Sequence, residues 1–419
     1  MITILAHGSR GDVQPFVALA HGLKQAGHEV CLVLNSEFSG LAAQYGLECR
    51  LLPASVQAML ETHAGQAMLK TGSLLRSLLY FLRETRRNAR EVVEASWRGC
   101  QGADLLVYSM IDLWGYDIAE KLGIPGLPVF LVPSLPTGEF PAPQGSLPNW
   151  PGSFNRFTHR ALLGLVWQFM YRPLITPFRR QTLGLQGMPH LHALLHAPQL
   201  HAYSPSVIPR PSDWPACVQV TGYWFLPAPE DWQPSPALSR FLADGDPPVY
   251  VGFGSMANRD AAGMTRLALK AGRLAGVRLV MARGWGGLAA QDDSNPETDD
   301  QVFLLDTAPH DWLFQRMAAV VHHGGAGTTA AGLSAGVPAV IIPHFGDQPF
   351  WAGRVHALGA SPPPIPRQRL TPEKLSQAMI AATRDRQIQA RAQQLGERIR
   401  LESGVQQAIA KLLKYLKPQ

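Results

Sequence analysis

Short apolar runs alternate along this chain with segments whose apolar residues recur every three or four positions. Ile2, Ile4 and Leu5 read as a buried strand and Gly8–Asp12 as a loop. Val13, Phe16, Val17, Ala20 and Leu23 then form one face of a helix that Gly27 ends. Val30–Leu34 is the next strand, so residues 1–34 make a βαβ opening. The alternation returns with a strand over Asp104–Tyr108, a helix over Trp114–Leu122 stopped by Gly123, and a strand over Leu127–Val132. A strand at Val218–Thr221 sits among the prolines of 205–236. A fresh series then begins with Val249–Phe253, a helix from Ala262 to Leu274, Val277–Ala282, Gln301–Leu305, Ala318–His322 and Val337–Ile342. Residues 372–416 read as helical, and Ala289–Asp300 as an acidic surface loop. The pattern predicts an α/β protein of two doubly wound halves, with no sequence repeat between them.

Two stretches depart from this rhythm. Residues 69–93 carry Leu74, Leu75, Leu78, Leu79 and Leu82 on one side and Arg76, Arg83, Arg86, Arg87 and Arg90 among the rest. Such a basic amphipathic helix serves either as a core helix with a solvated face or as a contact with a bilayer or greasy ligand. Residues 133–152 hold six prolines with Phe140 and Trp150. A long proline-stiffened loop after a strand is expected to bind something, and Trp167, Phe169, Met170 and Tyr171 continue an apolar helix nearby.

Composition adds limits. A length of 419 residues suits two domains. No 18-residue apolar run is present to span a membrane, and no leader peptide is visible at the first residues. Cys31, Cys49, Cys100 and Cys217 are scattered without metal-ligand spacing and read as reduced packing residues. These features predict a cytoplasmic protein, peripheral at a membrane if the basic helix touches lipid. The formal charge of +6 comes without a nucleic-acid module, which leaves an anionic ligand or a membrane surface as its partner.

The stretch VVHHGGAGTTAAGLSAG, residues 320–336, carries the clearest chemistry. A strand ends at His322-His323, the glycines follow, and an Ala-rich helix starts. Glycines allow close backbone approach to a phosphate, N–H groups at the helix start point at it, and the helix dipole favours its charge. His323, Gly325, Gly327, Thr328 and Thr329 are therefore candidate ligands of a diphosphate. Asp347 and Gln348, after the next strand, would open at the same sheet edge and suit sugar hydroxyls.

HHGGAGTTAAGLSAGVPAVIIPHFGDQ resembles the donor signature of the nucleotide-sugar-dependent glycosyltransferases of the GT-B fold. The likeness is closest to the branch holding the sterol glucosyltransferases and the glycopeptide-antibiotic glycosyltransferases. ITILAHGSRGDVQPFVALAHGLKQAGHEV, PVYVGFGSM, RGWGGL and TAPHDWLF match the same branch in family order, and the last two lean towards the sterol type. The resemblance implies two Rossmann-like domains facing across a cleft. An acceptor-binding domain is expected over 1–225, a linker over 226–240 and a nucleotide-sugar-binding domain over 241–400. A final helix over 401–419 is expected to return to the first domain.

The resemblance also implies roles. Asp12, in GSRGDVQP, stands where this branch carries its catalytic aspartate and the plant secondary-metabolite enzymes carry a histidine. The plant histidine pairs with an aspartate whose position here is Ser109, so that relay is expected to be missing. His7 is the other candidate base, and Asp112 a candidate helper. Ser255 resembles the serine that reaches the diphosphate, Trp285 is placed to stack on the nucleobase, and Pro309 and His310 to hold its edge. Asp347 and Gln348 resemble the pair that grips the sugar. Ala331 replaces the plant glutamate for the ribose, which leaves UDP and dTDP both open. No acidic metal motif is present, so catalysis without metal or cofactor is expected.

These expectations amount to an inverting transfer of a hexose, glucose from UDP-glucose first, to the hydroxyl of a sterol or terpenoid. The alternatives are a natural-product glycosyltransferase using a dTDP- or UDP-sugar on a polyketide or peptide aglycone, a nucleotide-sugar epimerase, and a nucleotide-sugar or membrane-surface binding protein.

Overall fold

The computed structural model describes residues 1–53, 90–145, 147–187, 191–253, 261–283 and 300–416. The 289–300 loop except its last residue, and all of the 69–93 stretch except its last residues, lie outside them. The chain divides into two compact units. The first comprises Met1–Pro143, Leu147–Leu226 and Glu402–Gln419; the second comprises Gln144–Ser146 and Pro227–Leu401.

The first unit is built on a seven-stranded sheet ordered β3-β2-β1-β4-β5-β6-β7, with all pairs parallel. Its strands are β1 (Ile2–Ala6), β2 (Val30–Asn35), β3 (Glu48–Leu52), β4 (Leu105–Ser109), β5 (Gly126–Phe130), β6 (Gln199–His201) and β7 (Val218–Val220). Both faces are covered, as an all-parallel sheet requires. Alternation along β1 sends Ile4 and Ala6 towards helix α1 (Arg10–Gln25) and Leu5 towards helix α2 (Gly115–Leu122). Gly123 ends α2 in the left-handed region, at φ 65°, as its sequence position predicts.

Two of these strands escape the periodicity. Edge strand β3 exposes Glu48 and Leu51, and β6 is three residues long with Gln199 and His201 buried beside Leu200. Helix α3 (Gly152–Val166) follows the proline loop.

The second unit has a five-stranded parallel sheet ordered β10-β9-β8-β11-β12. These are β8 (Val249–Gly252), β9 (Leu279–Ala282), β10 (Val302–Leu305), β11 (Ala319–His322) and β12 (Ala339–Ile341). The linker expected over 226–240 is a helix at its far end. Ser235 accepts from Leu238 N at 3.1 Å, Pro236 takes the first helical position, and α4 (Pro236–Ala243) buries Leu238. Polar, proline-rich composition hid a cap-plus-proline helix start. Helices α5 (Ala261–Ala275), α6 (Ala326–Ala335), α7 (Gln348–Ala357), α8 (Pro372–Arg384) and α9 (Arg386–Arg400) follow.

The helical stretch expected over 372–416 is cut twice. Asp385 caps α9 through Gln387 N and Ile388 N, and Ser403 enters the left-handed region at φ 51°. Beyond it α10 (Gly404–Leu412) packs in the first unit, with Val405, Ala408 and Leu412 in the same core as α1. A Cβ at Gly22 of α1 would lie 2.6 Å from Val405 Cγ1, so close helix packing requires that glycine.

Candidate functional site

In the first sheet, strand order reverses between β1 and β4. β1 leads to α1 on one face and β4 to α2 on the other. The carboxyl ends of two such strands open a crevice, the ordinary ligand position of a doubly wound sheet. His7 to Asp12 leave β1 at this edge and Ser109 to Asp112 leave β4.

Asp112 is fully buried and is the hub of the edge. Its Oδ2 accepts from His7 N at 3.0 Å and from Ser109 Oγ at 2.6 Å. Its Oδ1 is paired with His7 Nδ1 in a short contact. Asp12 and Ser109 stand at the two positions of the plant relay, and a different histidine–aspartate pair, His7 and Asp112, forms at this edge. The aspartate three residues after Ser109 turns back to the histidine at the end of β1. Asp112 fixes the proton on Nδ1 and leaves Nε2 as the acceptor of the neutral ring. Burial opposes a charge on His7, yet the Asp112 carboxylate outweighs it and holds the pKa above the ordinary 6.5. Trp114 packs against the ring at a centroid distance of 5.4 Å.

Asp12 is the third residue of α1, and its Oδ2 accepts from Ser9 N at 2.8 Å and Ser9 Oγ at 2.7 Å. It therefore serves the helix start as well as standing at the crevice. The described residues give Oδ1 no partner. Burial raises the Asp12 pKa above the ordinary 3.8, against the Ser9 hydrogen bonds and the His7 charge, which lower it. Gly8 makes this geometry possible. Its φ is 137°, and a Cβ there would lie 2.8 Å from both Cβ and Oδ2 of Asp12. Buried Asn35, at the end of β2, holds Gly8 N at 3.0 Å. Ser9 and Asn35 went unremarked in the sequence because each acts through a neighbour.

The second sheet reverses between β8 and β11, with α5 and α6 on opposite faces. His322 ends β11 fully buried, and its Nδ1 accepts from Gly324 N at 3.0 Å. His322 thus shapes the turn from within. Gly324 has φ 89°, and a Cβ there would meet Ile341 Cγ2 at 2.8 Å and Gln348 O at 3.2 Å. A Cβ at Gly325 would stand 2.5 Å from His323 Nε2, so the imidazole lies against bare backbone.

Gly325 is the N-cap of α6, and the first N–H groups of that helix have no intrahelical acceptor. Burial lowers the His323 pKa to about 4, so the ring is neutral at pH 7. Gly327 is exposed and Thr328 half-buried, whereas Thr329 is buried with its hydroxyl unpartnered.

Asp347 is the N-cap of α7, and its Oδ2 accepts from Trp351 Nε1 at 2.8 Å. Gln348 is buried, and its Oε1 accepts from His344 N at 2.8 Å and Phe345 N at 3.2 Å. Its carbonyl oxygen is therefore spent on its own loop. The Gly324 contact with Gln348 brings this loop against the glycine turn. Pro309 caps the short helix His310–Leu313, and the His310 ring stacks on Phe314 with centroids 4.3 Å apart. Ser255 and Trp285 lie outside the described residues. Among those residues no cluster of three metal-ligating side chains occurs.

Comparison with known proteins agrees with the fold. Residues 2–141 match the glycosyltransferase family 28 N-terminal domain, and residues 289–414 match the C-terminal domain of erythromycin biosynthesis protein CIII-like proteins. The chain belongs to the GT-B-fold nucleotide-sugar glycosyltransferases, in the branch that resembles the sterol glucosyltransferases.

Its relatives include the sterol 3-beta-glucosyltransferase of Debaryomyces hansenii, 35% identical over 97% of this chain and 26% of that protein. The sterol 3-beta-glucosyltransferase UGT80A2 of Arabidopsis thaliana is 34% identical over 99% of this chain and 65% of that protein. The chain thus spans from about a quarter to just under two thirds of their lengths. Among solved structures, the kitacinnamycin glycotransferase superposes with a TM-score of 0.73 at 19% identity, covering 99% of both chains. SnogD from Streptomyces nogalater gives 0.66 at 19% identity, again over 99% of both chains. These two share the fold.

Proposed function

We propose that this chain moves a hexose, glucose from UDP-glucose, to the hydroxyl of a lipophilic acceptor such as a sterol or terpenoid, inverting the anomeric carbon and using no metal. The names of its relatives support the acceptor class. The observation that carries the mechanism is Asp12, a carboxylate held at the β1–β4 crevice with one oxygen fixed by Ser9 and a pKa raised by burial.

In this reading Asp12 takes the proton as the acceptor oxygen forms its bond to the anomeric carbon. The anomeric carbon–phosphate oxygen bond breaks as that bond forms, and the nucleoside diphosphate leaves with the electron pair. Its charge is met by N–H groups at the start of α6, the neutral His323 and the Thr328 hydroxyl. Preorganised donors of this kind commonly supply the largest part of a rate enhancement. Ser255 belongs to the same proposal on the diphosphate, Trp285, Pro309 and His310 on the base, and Asp347 and the Gln348 amide on the sugar. Contact of the 69–93 stretch with a membrane is a further part of it.

The His7–Asp112 pair supports a second base. Its neutral ring would accept through Nε2, the arrangement by which a buried aspartate orients a histidine in acyl transfer. Asp12→Asn and His7→Gln, assayed with UDP-glucose and a sterol panel, separate the two. The first reading expects Asp12→Asn to lose transfer and His7→Gln to keep most of it. The reverse outcome assigns the base to His7.

A further inference from the structure

Helix α3 turns polar side chains inward over its first turns. Its buried residues are Asn155, Thr158 and His159. Each ties the proline loop down: Asn155 Nδ2 donates to Gly138 O at 3.0 Å, Thr158 Oγ1 accepts from Ala142 N at 2.9 Å, and His159 Nε2 meets Phe140 O at 3.1 Å. Apolar side chains stay exposed along the helix and its continuation. Phe157 is 63% exposed, Phe169 51% and Leu165 49%, and Trp150 before the helix is 54% exposed. At about 100° per residue, Phe157 and Leu165 fall within about a quarter of the circumference, and Phe169 follows in the π-helical stretch Trp167–Tyr171. Trp150, Phe154 and Phe157 form an unbroken aromatic string, with ring centroids 4.4 Å and 6.4 Å apart.

The sequence of this stretch is basic. No Asp or Glu occurs from residue 140 to 212, while Arg156, Arg160, Arg172, Arg179, Arg180 and Arg210 do. Arg179 is buried against Asp117 and Glu120, and Arg156 is paired with Asp213 at 2.9 Å. Arg160, Arg172 and Arg180 are exposed. A second copy of the chain meeting this face by two-fold symmetry would set arginine against arginine. An apolar stripe with an interfacial tryptophan and a rim of arginines fits the headgroup–acyl boundary of an anionic bilayer.

We propose that the outer face of α3 and its continuation to Arg180, with Trp150, docks on anionic phospholipid membranes. The surface is distinct from residues 69–93, and the proposal does not depend on which base or donor the chain uses, because docking is read without substrate.

The test is co-sedimentation of the full chain with vesicles of phosphatidylcholine and phosphatidylserine, against vesicles of phosphatidylcholine alone. The wild type binds the anionic vesicles and is released by salt. Arg160→Gln/Arg172→Gln/Arg180→Gln loses about fivefold in affinity per arginine, the weight of one basic residue near such a surface. Phe157→Ser/Leu165→Ser/Phe169→Ser loses binding to both vesicle types. Circular dichroism and the melting curve of each variant stay as in the wild type, since every substituted side chain is exposed.

Failure of the wild type to bind, or wild-type binding by both variants, overturns the proposal. So does a concentration-dependent dimer that the apolar variant abolishes, which assigns the face to a second copy. Intact vesicle binding with a raised KM for detergent-solubilised sterol makes the face an acceptor wall and overturns it as well.

Discussion

Replacing Asp12 by Asn tests the chemistry with little cost to the fold. The carboxamide has the shape of the carboxylate and keeps one oxygen able to accept from Ser9 N, now 2.8 Å from Oδ2. It gives up only the charge-assisted part of a helix-start contact, a stability loss of about 1 kcal/mol or less. The catalytic loss is far larger. A positioned base contributes about 10²- to 10⁴-fold, or about 3–5 kcal/mol of barrier at 1.36 kcal/mol per factor of ten. The proposal places nucleotide binding on the glycine turn after His323, so UDP affinity is expected to stay near wild type.

The assay is kcat/KM for transfer from UDP-glucose to a sterol, with calorimetric titration of UDP as the control. The pH profile supplies a second axis. Asp12 must be ionised to act, so the acid limb of kcat/KM falls at its raised pKa, above 3.8, and activity is kept above that limb. A His7 base would place the limb above 6.5, and Asp112→Asn would move it down. An Asp12→Asn variant keeping more than about a tenth of wild-type kcat/KM refutes Asp12 as the base.

Other outcomes follow from particular contacts. Gly325→Ala drives a methyl group into His323 Nε2, 2.5 Å away, so calorimetry should show donor affinity falling while the melting temperature changes little. Gly324→Ala also meets Ile341 and carries the φ of 89°, so urea titration should report a loss of about 1–3 kcal/mol. Arg179→Met strands buried Asp117, whose pKa burial already raises to about 6; removing one partner of such a pair costs about 3–5 kcal/mol by chemical denaturation.

His201 and His322 are fully buried, and burial depresses each pKa to about 3. Their stability is complete above the unfolded value of 6.5 and is lost as pH falls towards 3. By pH 5 the loss is about 2 kcal/mol for each, and His201→Phe should remove its share from a pH series of melting curves.

How far the sequence carried depended on whether a residue acts alone or through a neighbour. The strands of both sheets showed because parallel strands buried on two faces are continuous apolar runs, as in β1 and β11. Glu48–Leu52 and Gln199–His201 did not, one being an exposed edge and the other a pair of buried polar residues about a leucine. The glycine turn after His323 was legible because glycine marks close approach by its own identity. The His7–Asp112 pair was not, since two residues 105 apart meet only when β1 and β4 are neighbours. The expected bounds 226–240 ran past the start of α4, which Ser235 and Pro236 mark. The polarity of α3 escaped because its amphipathic pattern says nothing about which side faces in.

The anomeric configuration of the product tests the central claim most directly. The full chain is incubated with UDP-glucose, whose glucose is α-linked, and a sterol, and the glucoside is read by proton NMR at the anomeric position. Attack by a deprotonated hydroxyl from the side opposite the diphosphate predicts the β-glucoside, absent with Asp12→Asn. An α-glucoside, or β-glucoside formed at the wild-type rate by that variant, contradicts the account.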